Sequence, residues 1–182
     1  MVVAETEVKA RRGLLIVNTG HGKGKTTAAL GTLLRAWGQG MRVCVIQFVK
    51  SETFRYGEAK AAVRLGLEWH TLGEGWTFGR DDLTSAAQAA RQAWAVAQER
   101  LASGRYDLIL LDEFTYPLRF GWLDPTEVLA WLEENRPPSL HVIITGRDAL
   151  PALVEAADLV TDMRKVKHPF DKGIKGQRGI EF

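Results

Sequence analysis

Six short, largely apolar runs, mostly rich in Val, Ile and Leu, punctuate this chain: "GLLIVNT", "RVCVIQFV", "LEWHTL", "YDLILLDE", "HVIITG" and "ADLVTDM". Between them lie stretches with helical spacing, "KTTAALGTLLRAWGQG", "SAAQAARQAWAVAQERLASG", "DPTEVLAWLEENRP" and "RDALPALVEA". A strand that is apolar along its length, rather than at alternate positions, belongs inside a sheet buried on both faces. Strands of that kind alternating with helices imply an α/β fold, a mostly parallel central sheet with helices over both faces. In the second helical stretch Ala90, Trp94, Ala97 and Leu101 recur at helical spacing. The third opens with Asp124-Pro125, an N-cap followed by Pro at the first helical position. Most tryptophans, Trp37, Trp94 and Trp131 among them, read as core.

The 182 residues suffice for one domain with a sizeable core. We divide them into an N-terminal arm, 1–12, and a single domain, 13–182, whose closing segment, 164–182, shows no regular pattern. No apolar run approaches the roughly 20 residues that cross a bilayer. The first residues mix acids and bases and lack a signal peptide's apolar core. The expected location is cytoplasmic, away from any membrane. A net charge of +2 gives no reason to expect nucleic acid. The only cysteine, Cys44, leaves no intramolecular disulfide and reads as a small buried hydrophobe. Charge concentrates near the end, where Arg164, Lys165, Lys167, Lys172, Lys175 and Arg178 face one acid, Asp171. Such a run is either a solvated tail or a contact for phosphates or carboxylates.

The first apolar run leads into "TGHGKGKTT" and then a helix. Strand, glycine-rich turn and helix in succession form the setting of a phosphate-binding loop, where backbone N–H groups and a helix N-terminus converge on an anion. Gly20, His21, Gly22, Lys23, Gly24, Lys25, Thr26 and Thr27 are thus candidates for holding a nucleotide. Lys25 would supply charge and Thr26 a hydroxyl for a metal ion. The usual pattern places a glycine five residues before the last one, where this chain has Thr19, so the loop is tighter by a residue. The acidic half of such a site stands in "LILLDE", whose Asp112 and Glu113 end a buried strand and are candidate magnesium ligands. Gln47 and Glu113 are candidates for positioning an attacking water. Arg147, in "TGRD", either contacts the nucleotide or pairs with Asp148 or Glu155. His168 and Asp171 either order a turn or take part in chemistry. These residues imply magnesium-nucleotide binding and leave the reaction open.

From about Gly13 to Phe182 the chain resembles the ATP:corrinoid adenosyltransferases of the phosphate-loop fold. The resemblance rests on "TGHGKGKTTAALG", "VIQFVK", "LDEFTYPL", "RPPSLHVIITGRD", "ADLVTDM" and, most specifically, "VKHPFDKGIKGQRGIEF". It implies a single-domain P-loop NTPase-like (RecA-like) fold. It also implies transfer of the 5′-deoxyadenosyl group of ATP to the cobalt of a reduced corrinoid, with release of triphosphate. ATP would lie reversed relative to phosphoryl-transfer enzymes, which gives the shortened loop a meaning. By the same resemblance, Lys25 and the loop glycines carry phosphate charge and Thr27 lies at the phosphates. Thr26 with Asp112 or Glu113 holds Mg2+ (or Mn2+). The implied partners are ATP, a reduced corrinoid, an electron-donating flavoprotein or flavin reductant, and a second copy in a homodimer.

The family also uses an aromatic pair to exclude the corrinoid's lower axial ligand, and the matching stretch "GEGWTFGR" offers Trp76 and Phe78. In extended backbone these two rings project to the same side. The family order is Phe then Trp followed by an amide residue; this chain reverses the aromatics and lacks the amide. Its N-terminal arm is also shorter than the basic segment that covers the corrinoid in the family. Two other readings compete: a magnesium-ATPase or kinase forming ADP, and a nucleotide-gated binding module without turnover.

Overall fold

The computed structural model describes residues 12–51, 56–73 and 84–181. All six apolar runs are strands: β1 (Leu15–Thr19), β2 (Val43–Ser51), β3 (Glu68–Gly73), β4 (Leu108–Asp112), β5 (His141–Thr145) and β6 (Leu159–Asp162). They form one sheet in the order β3-β2-β4-β5-β1-β6, and every neighbouring pair is parallel. All C-terminal strand ends therefore share one edge. There β5 separates the loop that follows β1 from the acid that ends β4.

Among the described residues, six helices connect the strands: α1 (Lys25–Gly38), α2 (Gly57–Leu65), α3 (Thr84–Ala102), α4 (Thr115–Arg119), α5 (Pro125–Asn135) and α6 (Pro151–Ala156). Successive strand side chains point to opposite faces, and the apolar runs divide accordingly. Val43, Val45, Leu108, Leu110 and Ile143 pack with Ala29, Leu33 and Ala36 of α1. Cys44, Ile46, Ile109, Leu111, Val142 and Ile144 pack on the other face with α3, α5 and α6 through Trp94, Leu101, Leu132 and Leu153. Both faces are dry, which is why these strands carry no alternating polar residues.

On α3 the buried positions are Ala86, Ala90, Ala93, Trp94, Ala97 and Leu101. Its alanines form a narrow inward stripe, and Trp94 fills the gap beyond it. The Trp94 ring stacks on Phe114 at 5.2 Å and meets Trp131 edge-on at 5.4 Å. Asp124 caps α5 by accepting from the N–H groups of Thr126 (2.8 Å) and Glu127 (3.1 Å).

Two helices lie outside the sequence pattern. α2 buries only Ala62 and leaves Val63 exposed, so it carries no apolar stripe to read. α4 is five residues long and contains Pro117. Trp37 departs from its core reading: in the last turn of α1 it is 39% exposed, and its helical neighbour Leu34 is exposed as well. Beyond β6 the backbone makes a 3-10 turn, Pro169–Lys172, and otherwise follows bends and turns.

Candidate active site

The loop between β1 and α1 owes its shape to glycine. Gly20 (φ 96°) and Gly24 (φ 111°) hold left-handed backbone that L side chains resist. Gly22 answers a different need. A Cβ there would lie 2.6 Å from the carbonyl oxygen of Met163 and 2.7 Å from that of Arg164. The chain after β6 is the wall the loop leans on. Gly22 N–H donates to Met163 O at 2.5 Å, and Met163 N–H donates to Thr19 O at 2.9 Å.

Lys25, the first residue of α1, turns back into the loop. Its Nζ donates to the carbonyls of Gly20 (2.8 Å) and Gly22 (2.7 Å). An ammonium has three donors, so one is left for an anion in the cleft. Burial pushes the Lys25 ammonium down from the ordinary lysine range; Glu113 pulls it back up, and Arg147 acts in the same direction as burial.

Asp112 is fully buried at the end of β4 and is held by three side chains. Its Oδ1 accepts from Thr26 Oγ1 (2.8 Å) and Thr145 Oγ1 (2.7 Å), and its Oδ2 accepts from Gln47 Nε2 (2.9 Å). Gln47 is engaged on its other side too, where its Oε1 accepts from Trp69 Nε1 and Thr71 Oγ1, both at 3.1 Å. The water-positioning reading of Gln47 does not hold: the residue lies behind Asp112 and is fully buried. Thr145 closes the group, its hydroxyl also accepting from Glu113 N–H at 3.0 Å. Neither this role of Thr145 nor that of Gln47 follows from the sequence. A lone hydroxyl or amide at a strand end gives no local signal; the sheet register brings them to Asp112.

Glu113 has φ 61°, a left-handed conformation that costs a non-glycine residue about 1 kcal/mol or more. It lines the cleft together with Lys23, Gly24, Lys25, Thr26 and Thr27. The cleft measures about 460 Å³. Thr26 and Glu113 thus reach this space, and Asp112 backs the Thr26 hydroxyl. A hydroxyl and a carboxylate, both hard oxygen donors, fit a magnesium-type cation.

A family model described as ATP:corrinoid adenosyltransferase BtuR/CobO/CobP matches residues 11–182. The chain belongs to this family. A corrinoid adenosyltransferase of Pseudomonas aeruginosa is 43% identical, across 100% of this chain and 90% of its own length. One from Sinorhizobium sp. is 42% identical, covering 94% of this chain and 81% of its own. One from Escherichia coli K12 is also 42% identical, with coverages of 97% and 89%. Among solved structures, the flagellar accessory protein FlaH from Methanocaldococcus jannaschii has a TM-score of 0.59 at 11% identity. That match spans 84% of this chain and 71% of FlaH, a likeness of fold alone.

In this member of the adenosyltransferase family the remaining sequence candidates fall as follows. His21 is largely exposed and pairs with Asp148 at 3.0 Å. Asp148 also takes Arg119, so Arg147 is not its ion-pair partner. Arg147 is exposed, and its charge acts on Lys25. Among the described residues, His168 orders the turn that follows it: its Nδ1 accepts from Phe170 N–H at 3.1 Å. Asp171 pairs with Lys165 at 2.8 Å. Trp76 and Phe78 lie outside the described residues. No described helix is long and apolar enough to cross a membrane.

Proposed function

We infer that this chain transfers the 5′-deoxyadenosyl group of ATP to the cobalt of a reduced corrinoid and releases triphosphate. One observation carries the reading: the family match runs through the C-terminal segment, and Gly179–Glu181 of that segment lines the cleft at the phosphate loop. The fold is read as a single-domain, RecA-like P-loop domain over residues 13–182.

The reaction asks little acid–base chemistry of the protein. Cobalt(I) donates an electron pair to the 5′-carbon; the carbon–oxygen bond breaks and its pair leaves with the triphosphate. The protein aligns the partners and neutralises the leaving group. The loop residues Gly20–Thr27 would hold the phosphates, the third Lys25 donor would meet a phosphate oxygen, and Arg147 would add charge at the rim. Thr26 and Glu113 would hold magnesium or manganese, with Asp112 fixing the Thr26 hydroxyl. The cation would offset phosphate charge. Trp76 and Phe78 would face the corrinoid. A homodimer, a flavin or flavoprotein electron donor and a cytoplasmic location belong to the same proposal.

The test is an anaerobic assay with chemically reduced cobalamin, magnesium and ATP. Loss of the cobalt(I) spectrum with formation of adenosylated corrinoid and intact triphosphate is expected. ADP and phosphate with no change at cobalt would overturn the reading in favour of an ordinary ATPase.

A further inference from the structure

The tail that supports the loop at one end returns to it at the other. Met163 and Arg164 form the wall behind Gly22. Past the 3-10 turn the backbone reverses at Gly179, whose φ of 82° is left-handed. Ile180 and Glu181 then close a turn by donating to Gln177 O at 3.1 Å and 2.8 Å. This turn brings Gly179, Ile180 and Glu181 into the wall of the phosphate cleft. The Glu181 side chain is only 19% exposed, and its carboxylate forms an ion pair with Lys23 of the loop.

The charges lining the cleft make that pairing notable. Among the described residues, Glu58, Glu113 and Glu181 line the cleft together with Lys23 and Lys25. Lys25 already serves the loop's own carbonyls. Lys23 is the more accessible loop cation, and a carboxylate holds it. A triphosphate entering the cleft meets that carboxylate at short range, where like charges repel strongly.

We propose that Glu181 is a built-in competitor of the triphosphate for Lys23. Nucleotide entering the cleft displaces the tail's end from Lys23, and the tail regains it as triphosphate leaves. This rests on the proposed reaction only in naming triphosphate as the product. The strap lowers affinity for the leaving group more than for the transition state, because the negative charge on the triphosphate is greatest once the carbon–oxygen bond has broken.

The probes are inorganic triphosphate and ATP, each with magnesium and without corrinoid, titrated calorimetrically into wild type, Glu181→Gln, Lys23→Met and the double variant. Glu181→Gln is expected to bind triphosphate about three- to ten-fold more tightly, with slower release in stopped flow. In the Lys23→Met background the same change is expected to give a clearly smaller gain, since only the direct repulsion is then relieved. Unchanged or weakened triphosphate binding by Glu181→Gln overturns the proposal, as does an equal gain in both backgrounds. The two readings fail separately. Wild-type adenosylation with no gain in Glu181→Gln overturns the competitor alone. A gain in triphosphate affinity without adenosylation by the wild type supports the competitor and overturns the reaction.

Discussion

At Gly22 the space for a side chain is filled by two backbone carbonyls, which cannot swing aside as a flexible side chain would. Gly22→Ala is therefore expected to push the loop off its wall. Affinity for magnesium-ATP should fall at least about ten-fold, while the far-ultraviolet circular dichroism stays that of the wild type. Thr145 offers a second test at this scale. Its hydroxyl serves Asp112 and the N–H of Glu113 together, so Thr145→Val leaves two buried polar groups short of a partner. The expected cost is about 1–3 kcal/mol. It would be read as a lower urea midpoint with an unchanged slope, alongside slower adenosylation as Thr26 and Glu113 lose their common support.

Between elements, one cluster ties the edge strand β3 to α3 and to the chain entering β4. The Glu68 carboxylate accepts from Arg100 Nε at 2.9 Å, meets His70 Nε2 at 2.8 Å and takes the Tyr106 hydroxyl. Burial pushes the Glu68 carboxyl up, but the Tyr106, His70 and Arg100 contacts together bring it down to about 2. An acid whose pKa is lower folded than unfolded stabilises the fold above its unfolded pKa, about 4.3 for Glu. That stability is lost as pH falls from there towards about 2. Wild type is therefore expected to lose melting temperature between about pH 4.5 and 2.5. Glu68→Gln should start lower and show a shallower decline across the same window; parallel declines would contradict the assignment. Nothing in "LEWHTL" announced this cluster, since Arg100 and Tyr106 arrive from other elements. The central strands β2, β4 and β5 were legible, because burial on both faces leaves runs that are almost wholly apolar. The phosphate loop was legible for a similar reason: its glycines, lysines and threonine are contiguous. Gln47 and Thr145, two of the donors meeting on Asp112, were not, as they stand on separate strands and converge only through the register Gln47↔Asp112 and the β4–β5 pairing.

Across the whole molecule, the sheet's C-terminal edge gathers the end of β4, the loop after β1 and the last turn of the tail around one cleft. Nucleotide bound there, as proposed, would contact both the loop after β1 and the tail, and anything that binds only the folded state stabilises it by mass action. Magnesium-ATP at a hundred times its dissociation constant is expected to add about 2.7 kcal/mol, seen as a rise in melting temperature. Removing magnesium with a chelator should erase most of that rise, since Thr26 and Glu113 would then meet the phosphates without the intervening charge. An equal rise with and without the chelator would argue against a cation at Thr26.

The wall behind Gly22 has a further consequence, for the order in which the protein becomes competent. The phosphate loop leaves the ribosome well before Met163 and Arg164, against which it rests. A nascent chain presenting "TGHGKGKTT" has the glycines and lysines of the site but neither the strand nor the carbonyls that fix their curvature. Nucleotide capture therefore waits until Met163 and Arg164 can fold back onto the loop.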